Sequence, residues 1–203
     1  MDNNFWNLRY SSAQYAYGEL PNEFLAAQLP LLKAGRILFP CEGEGRNAVF
    51  AASLGWQVEA FDGSEEGKRK ALALASSKNV SIQYVIADAN YVVFEQNSFD
   101  VIALVYVHFP PSLRKEFHKK CVQWLKPGGK IILEAFEPAQ LGNTSGGPKE
   151  IDLLYTKEAL EADFEGCLLE YLEYETVQLN EGVFHEGTAK VVRMIGKRST
   201  LHV

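Results

Sequence analysis

The chain has 203 residues, 47% of them hydrophobic and 23% charged, with a formal net charge of −6. That length supports one α/β domain with a sizeable core, and the acidic balance argues against nucleic acid or an anionic membrane surface as partner, because both reward clustered Lys and Arg. No apolar run approaches the roughly 18–20 residues of a membrane span, and the N-terminus Met1-Asp-Asn-Asn-Phe-Trp6 lacks a secretory pattern, so a cytoplasmic protein is expected.

Residues 1–22 are rich in aromatic and turn-forming types, including Phe5, Trp6, Arg9, Tyr10, Tyr15, Tyr17, Gly18 and Pro21, and read either as packing over a sheet or as a lid. A helix is expected from about Asn22, a good cap, with Phe24, Leu25, Gln28, Leu29 and Leu32 recurring at helical spacing up to Gly35. From Arg36 strands and helices alternate. Arg36–Cys41 reads as a strand and Arg46–Ser53 as a helix stopped by Gly55. Gln57–Phe61 reads as a strand ending on Asp62, and Glu65–Ser77 as a helix capped by Ser64. Ile82–Ile86 is a third strand, ending on Asp88. Phe99–Val107 is nearly continuous in apolar residues, as expected of a strand buried on both faces. Pro110 and Pro111 start a helix that turns Leu113, Phe117, Cys121, Val122 and Leu125 inward and leaves His118 solvated. Lys126-Pro-Gly-Gly129 reads as a turn into a strand over Lys130–Phe136. A loop over Glu137–Lys149, a helix at about Thr156–Phe164 and a hairpin of Leu168–Leu179 with Thr188–Lys197 complete the chain, with His202 solvated at the tail.

The alternation predicts a parallel sheet with helices on both faces and a ligand outside the carboxyl ends of the strands. The turn Cys41-Glu-Gly-Glu-Gly-Arg-Asn47 is the centre of that prediction. Gly43 and Gly45 permit a tight bend and close ligand approach, and the following helix offers unpaired N–H groups. Taken alone the pattern fits NAD as well as S-adenosylmethionine. Asp62 stands where an acid accepts from both ribose hydroxyls, and Asp88 ends the next strand, where an adenine amino group needs an acceptor. Glu42 and Glu44 would repel a pyrophosphate, and a sulfonium with an ammonium group would not be repelled. Glu42 is thus a candidate partner for that ammonium. The cysteines Cys41, Cys121 and Cys167 lack C-x-x-C spacing, so no disulfide framework and no metal site is expected.

Several spaced motifs carry a resemblance: Glu42-Gly-Glu-Gly-Arg-Asn47, Phe61-Asp-Gly-Ser64 with Gly67 and Lys70-Ala71, Ala87-Asp88, Ser98-Phe-Asp100 and Leu125-Lys-Pro-Gly-Gly-Lys-Ile131. The chain resembles the class I S-adenosylmethionine-dependent methyltransferases, and among them the small bacterial tellurite-resistance type and its relatives. The resemblance implies a Rossmann-like seven-stranded sheet in the order 3-2-1-4-5-7-6 with the last strand antiparallel. It implies a single domain: an N-terminal segment over the cofactor (1–34), a cofactor-binding core (35–136), and an acceptor-side loop, helix and hairpin (137–203). S-adenosylmethionine would be the cofactor and S-adenosylhomocysteine the product. Its binding set would comprise Glu42, Gly43, Gly45, Arg46 and Asn47 at the turn, Asp62, Gly63 and Ser64 at the ribose, Asp88 and Ala89 at the adenine, Val105 and Tyr106 at the methyl donor, and Arg9 at the carboxylate.

Three positions depart from the family pattern. Phe39 and Cys41 stand where the wider class has Asp and Gly. Glu186 follows His185 where tellurite-resistance members carry Arg, and would repel an oxyanion acceptor. Methyl transfer needs alignment and exclusion of water, plus a base where the acceptor must lose a proton. His108 and His185 are the candidate catalytic residues, acting on a small-molecule acceptor. The remaining readings are an NAD(P)-dependent oxidoreductase and a non-catalytic S-adenosylmethionine-binding protein.

Overall fold

The computed structural model describes residues 3–200, which divide into two compact units: residues 3–92 with Glu181–His185, and Val93–Asn180 with the chain from Glu186 onward. His202 lies outside the described residues.

The first unit opens with α1 (Asn3–Tyr10), a helix that the aromatic composition did not announce. Eight residues are marginal as an isolated helix. Distant residues hold it: Asn7 Oδ1 accepts from Ser64 Oγ at 2.7 Å and from the Glu66 amide at 3.3 Å. Next, α2 (Glu23–Gln28) starts on the expected cap, with Asn22 Oδ1 accepting from the Leu25 amide at 3.0 Å. It ends well before Gly35, because Pro30 has no N–H to donate and the chain tightens into a 3-10 turn over Leu29–Leu31.

Three strands follow, β1 (Arg36–Pro40), β2 (Gln57–Asp62) and β3 (Gln83–Ile86), paired in parallel with Arg36 opposite Gln57 and Asp62 opposite Ile86. Ile37, Leu38 and Phe39 of β1 are fully buried, the continuous apolar run required of a strand covered on both faces. Removing each such side chain from water contributes about 1.5–3 kcal/mol. Two helices, α3 (Arg46–Ser53) and α4 (Glu65–Ser77), connect the strands. Val49, Leu74 and Ala75 form a buried cluster against which Tyr15, Val80 and Ile82 pack. The start of α4 is where its sequence indicates, since Ser64 Oγ accepts from the Gly67 amide at 3.0 Å and Glu65 and Glu66 sit at the positive end of the helix dipole.

The second unit contains β4 (Phe99–Val105), α5 (Pro111–Trp124), β5 (Leu125–Phe136), α6 (Lys157–Asp163), β6 (Cys167–Asn180) and β7 (Glu186–Arg198). β4 and β5 are parallel, whereas β7 runs antiparallel to both β5 and β6. The Lys126-Pro-Gly-Gly129 stretch, expected as a turn, is drawn into β5. A register shift accommodates it: Phe99 lies opposite Leu125 but Val101 opposite Lys130. Thr156 caps α6 as its sequence suggests, with Oγ1 accepting from the Ala159 amide at 3.1 Å.

On α5 one expectation is corrected. His118, read as solvated, is fully buried, and the inward face comprises Phe117, His118, Cys121 and Trp124, with Leu113 and Val122 only partly covered. The cause is tertiary. Asp163 of α6 meets His118 Nδ1 at 3.0 Å, so the ring can leave water with a hydrogen bond in hand. Across its strands the sheet reads 3-2-1-4-5-7-6, with the antiparallel strand β7 between β5 and β6, as the resemblance implies. No helix among the described residues is long and apolar enough to cross a membrane.

Candidate functional site

The glycine turn joins β1 to α3, and the protein's own packing already explains both glycines. Gly43 has φ +62°, and a Cβ there would sit 2.6 Å from the Tyr10 hydroxyl oxygen. Gly45 has φ +88°, and its Cβ would fall 2.5 Å from that of Ala71 on α4. Side chains are therefore forbidden by conformation and by space. Tyr84 adds a hydrogen bond from its hydroxyl to the Gly43 carbonyl at 2.7 Å.

The helix N-terminus beyond the turn does not present a free set of donors. Glu42 Oε1 accepts from the backbone amides of Asn47 at 2.9 Å and Ala48 at 2.8 Å. Burial pushes the Glu42 carboxyl up to about 7, against the lowering effect of those amides and of Arg46. Glu44 also turns toward protein: its Oε2 accepts from the Ala16 amide at 2.8 Å, and Oε1 lies 2.5 Å from Lys70 Nζ, a buried pair. Lys70 Nζ in turn donates to the carbonyls of Ser12 and Gln14, which pins the segment after α1.

Asp62 ends β2 as expected. Its Oδ2 accepts from the Gly43 amide at 3.1 Å and Oδ1 from the Ser64 amide at 2.9 Å, so the carboxylate clamps the glycine turn to the start of α4. Burial raises its pKa and these amides oppose the rise. Each carboxylate oxygen has a further lone pair, so the clamp does not exhaust its acceptor capacity. A cavity in this unit is lined by Asp62, Gly63, Asp88 and Ala89, four of the residues singled out in the sequence, together with Trp6, Cys41 and Ala87. Asp88 holds an Asx turn, its Oδ1 accepting from the Asn90 amide at 2.8 Å, and these bonds from Asn90 lower its pKa.

Trp6 and Cys41 are additions to the expected set. Only the aromatic richness of the N-terminal stretch pointed toward Trp6, whose ring stacks on Tyr10 at 5.5 Å. Cys41 has φ +52°, a left-handed conformation. This is a physical reason for glycine at that position in the wider class.

The other expected residues are engaged away from this lining. Arg46 Nη2 bonds Glu181 Oε2 at 2.9 Å, and Asn47 Oδ1 accepts from the Asn22 amide at 2.9 Å. Ser64 caps α4. The Arg9 guanidinium lies 3.9 Å from the Phe184 ring centroid and 5.0 Å from that of Phe5, and donates to the Tyr17 hydroxyl at 3.2 Å. His185 is buried, with Nδ1 3.4 Å from Glu181 Oε2 and its ring 4.6 Å from that of Tyr17.

In the second unit, Val105 closes β4 and Tyr106 follows it at φ +54°. The Tyr106 hydroxyl donates to buried Glu134 at 2.5 Å, and Arg193 Nε donates to the other oxygen of Glu134. His108 has both ring nitrogens on backbone: Nδ1 lies 2.7 Å from the Leu153 carbonyl oxygen, and Nε2 accepts from the Phe136 amide at 3.2 Å.

Residues 37–129 match the protein family described as "Methyltransferase domain". Residues 37–129 thus match a methyltransferase domain, and the sheet order is the one that the resemblance to class I S-adenosylmethionine-dependent methyltransferases implies. Among curated proteins it is similar to phosphoethanolamine N-methyltransferase 1 of Triticum aestivum, at 27% identity over 133 residues, which cover 63% of this chain and 25% of that protein. The chain thus spans about a quarter of the length of that curated relative.

Among solved structures it resembles one described as the conversion of a disulfide bond into a thioacetal group during echinomycin biosynthesis, with TM-score 0.79 and 14% identity over all of this chain and 93% of that one. It also resembles TehB from Haemophilus influenzae, with TM-score 0.68 and 15% identity over 97% of this chain and 67% of that one. The cofactor of this class is S-adenosylmethionine, and the donor set fits a ligand without phosphate. Glu42 fills amides that a pyrophosphate would require, while Asp62 and Asp88 bring acceptors to the cavity.

Proposed function

We propose that the protein transfers a methyl group from S-adenosylmethionine to a small-molecule acceptor. The observation that carries this reading is Glu42 on the amides of Asn47 and Ala48: a carboxylate occupies the anion site that a dinucleotide would need, which counts against NAD(P). In this reading Asp62 takes the ribose hydroxyls, Asp88 and the Ala89 amide the adenine, Gly43 and Gly45 flank the methionine part, and Arg9 meets the carboxylate. Trp6 adds an aromatic wall to the adenosine end. Bound there, S-adenosylmethionine supplies an electrophilic methyl group on a positively charged sulfur.

The chain's own residues supply position, exclusion of water and a proton acceptor. His108 and His185 are the candidate bases of this reading; both nitrogens of His108 also serve backbone groups, and His185 Nδ1 lies beside Glu181.

Titration calorimetry with S-adenosylhomocysteine and with NADH tests the cofactor. Binding of the first and not the second is expected, and the reverse result overturns the reading. Turnover is tested on a panel of amine, thiol, hydroxyl and oxyanion acceptors, including phosphoethanolamine, the acceptor named for the wheat relative. His185→Ala should leave S-adenosylhomocysteine affinity near wild type and lower turnover. Loss of that affinity would take His185 out of the acceptor side.

A further inference from the structure

Trp6 is the one residue lining the cavity that does not stand at a strand end. The others are braced by the sheet. Cys41 follows β1, Asp62 and Gly63 close β2, and Ala87, Asp88 and Ala89 follow β3, where the Ala87 amide donates to the Asp62 carbonyl at 3.0 Å. Trp6 instead sits on α1, outside the sheet. The cavity measures about 270 Å³ even with its open mouth counted, whereas clefts that bury most of a ligand run from about 300 to 1,000 Å³. S-adenosylhomocysteine therefore needs more room than Trp6 leaves, and the wall able to yield it is α1.

The attachments of α1 are few and mostly polar. Among its described side chains Tyr10 is buried and Trp6, Asn7 and Arg9 are partly covered, while Phe5 and Leu8 are 49% and 77% exposed. A helix of eight residues with so little apolar surface buried belongs to the low-stability end of a fold. Asn7 latches it. One side-chain oxygen serves both Ser64 Oγ and the Glu66 amide, on the stretch that begins with Asp62 and Gly63. Beyond Tyr10 the chain is exposed over residues 11–14, and Lys70 Nζ anchors it through the carbonyls of Ser12 and Gln14. Ser11 is the joint between helix and anchor, its amide and hydroxyl bonding back to the Leu8 carbonyl.

We propose that α1 is a lid over the cofactor, hinged at Ser11 and latched by Asn7, which swings out to admit S-adenosylmethionine and closes Trp6 against the adenosine end. This rests on the methyl-transfer reading. Trp6 and Arg9, three residues apart, share a helix face, so one closing motion brings in both the aromatic wall and the cation for the carboxylate. The latch also couples closure to occupancy: a ribose held by Asp62 steadies the stretch that supplies both donors to Asn7.

Hydrogen exchange of the full chain, read by mass spectrometry with S-adenosylhomocysteine as probe, tests the lid. Amides of residues 7–10 should exchange faster than those of α4 in the free protein, and slow by about 10- to 100-fold with the probe at about 100 times its Kd. Unchanged exchange in α1 of a protein that binds the probe overturns the lid and leaves the methyl-transfer reading standing, whereas absence of binding in calorimetry overturns both. In Asn7→Ala, association and release followed by stopped-flow fluorescence should both quicken by about 2- to 12-fold, the factor of one side-chain hydrogen bond, because the latch holds the lid shut with and without ligand. Rates equal to wild type, or a slower release, overturn the proposal. Should that variant unfold α1 outright, exchange in the wild type still decides. The fluorescence change should be lost in Trp6→Phe, since neither Trp56 nor Trp124 lines the cavity, and a change of undiminished size there would remove Trp6 from the lid.

Discussion

Each unit of the chain groups a buried histidine and a buried carboxylate with an arginine. In the second unit His118 Nδ1 meets Asp163, which also takes Arg114 Nε at 2.6 Å, and the imidazole is stacked on Phe164 and crossed edge-on by Tyr155. Its Nε2 is buried without a hydrogen-bond partner. A ring sealed in this way cannot exchange a proton with a solute, and its work is to join α5 to α6. In the first unit Glu181 and His185 lie in a five-residue turn fastened to Arg46, the residue after Gly45. The residue types are shared. What separates the two is whether the cluster closes on the core or on the glycine turn.

The largest expected effect tests the sealed cluster. Asp163→Ala leaves buried His118 and partly buried Arg114 beside no acid and should cost about 3–5 kcal/mol in urea denaturation, with S-adenosylhomocysteine affinity nearly unchanged below the melting transition. A comparable loss of affinity would break the division between the two clusters.

Next comes the cofactor side. Asp62→Ala should weaken S-adenosylhomocysteine binding by about 1.5–3 kcal/mol, or roughly 10- to 150-fold, measured by calorimetry. Unchanged affinity would remove Asp62 from the ribose.

The sealed histidine also predicts a pH dependence. Burial depresses the His118 pKa below its ordinary 6.5, against the opposing pull of Asp163. The unfolded state therefore takes up a proton that the folded state refuses. The stabilisation is complete above 6.5 and is lost as pH falls from there toward the depressed folded value, by at most about 1.4 kcal/mol per pH unit. Melting temperatures of wild type should drop between pH 7 and 5.5, and the drop should be shallower in His118→Gln. Parallel curves would mean that His118 is not the group responsible.

The smallest effect belongs to the glycine turn. Cys41→Gly relieves a left-handed conformation and should stabilise by about 1 kcal/mol, raising Tm by roughly 2–4 °C. A lowered Tm would show that the thiol's packing outweighs the strain.

Much of this was legible in local sequence. The caps at Asn22, Ser64 and Thr156 act within three residues, and the acids Asp62 and Asp88 follow strands whose apolar runs announce themselves. The rest depended on partners far along the chain. Asn7 finds Ser64 at a separation of 57 residues, His118 finds Asp163 at 45, and Arg46 finds Glu181 at 135. Glu42, read as a partner for a cofactor ammonium, has one oxygen accepting from the helix beside it, a contact that the reading did not include.

By itself the sequence determined the alternation of elements, the bend at Gly43 and Gly45 and the acids at the strand ends, because period, capping and backbone freedom are properties of neighbouring residues. Tertiary structure alone decided that Tyr10 and Trp6 stand over that bend and which histidine is sealed in a core. It alone decided that Glu181 is the hub of a buried cluster, because the burial of a charge is stable only where the fold delivers its counter-charge, and no local pattern encodes that meeting.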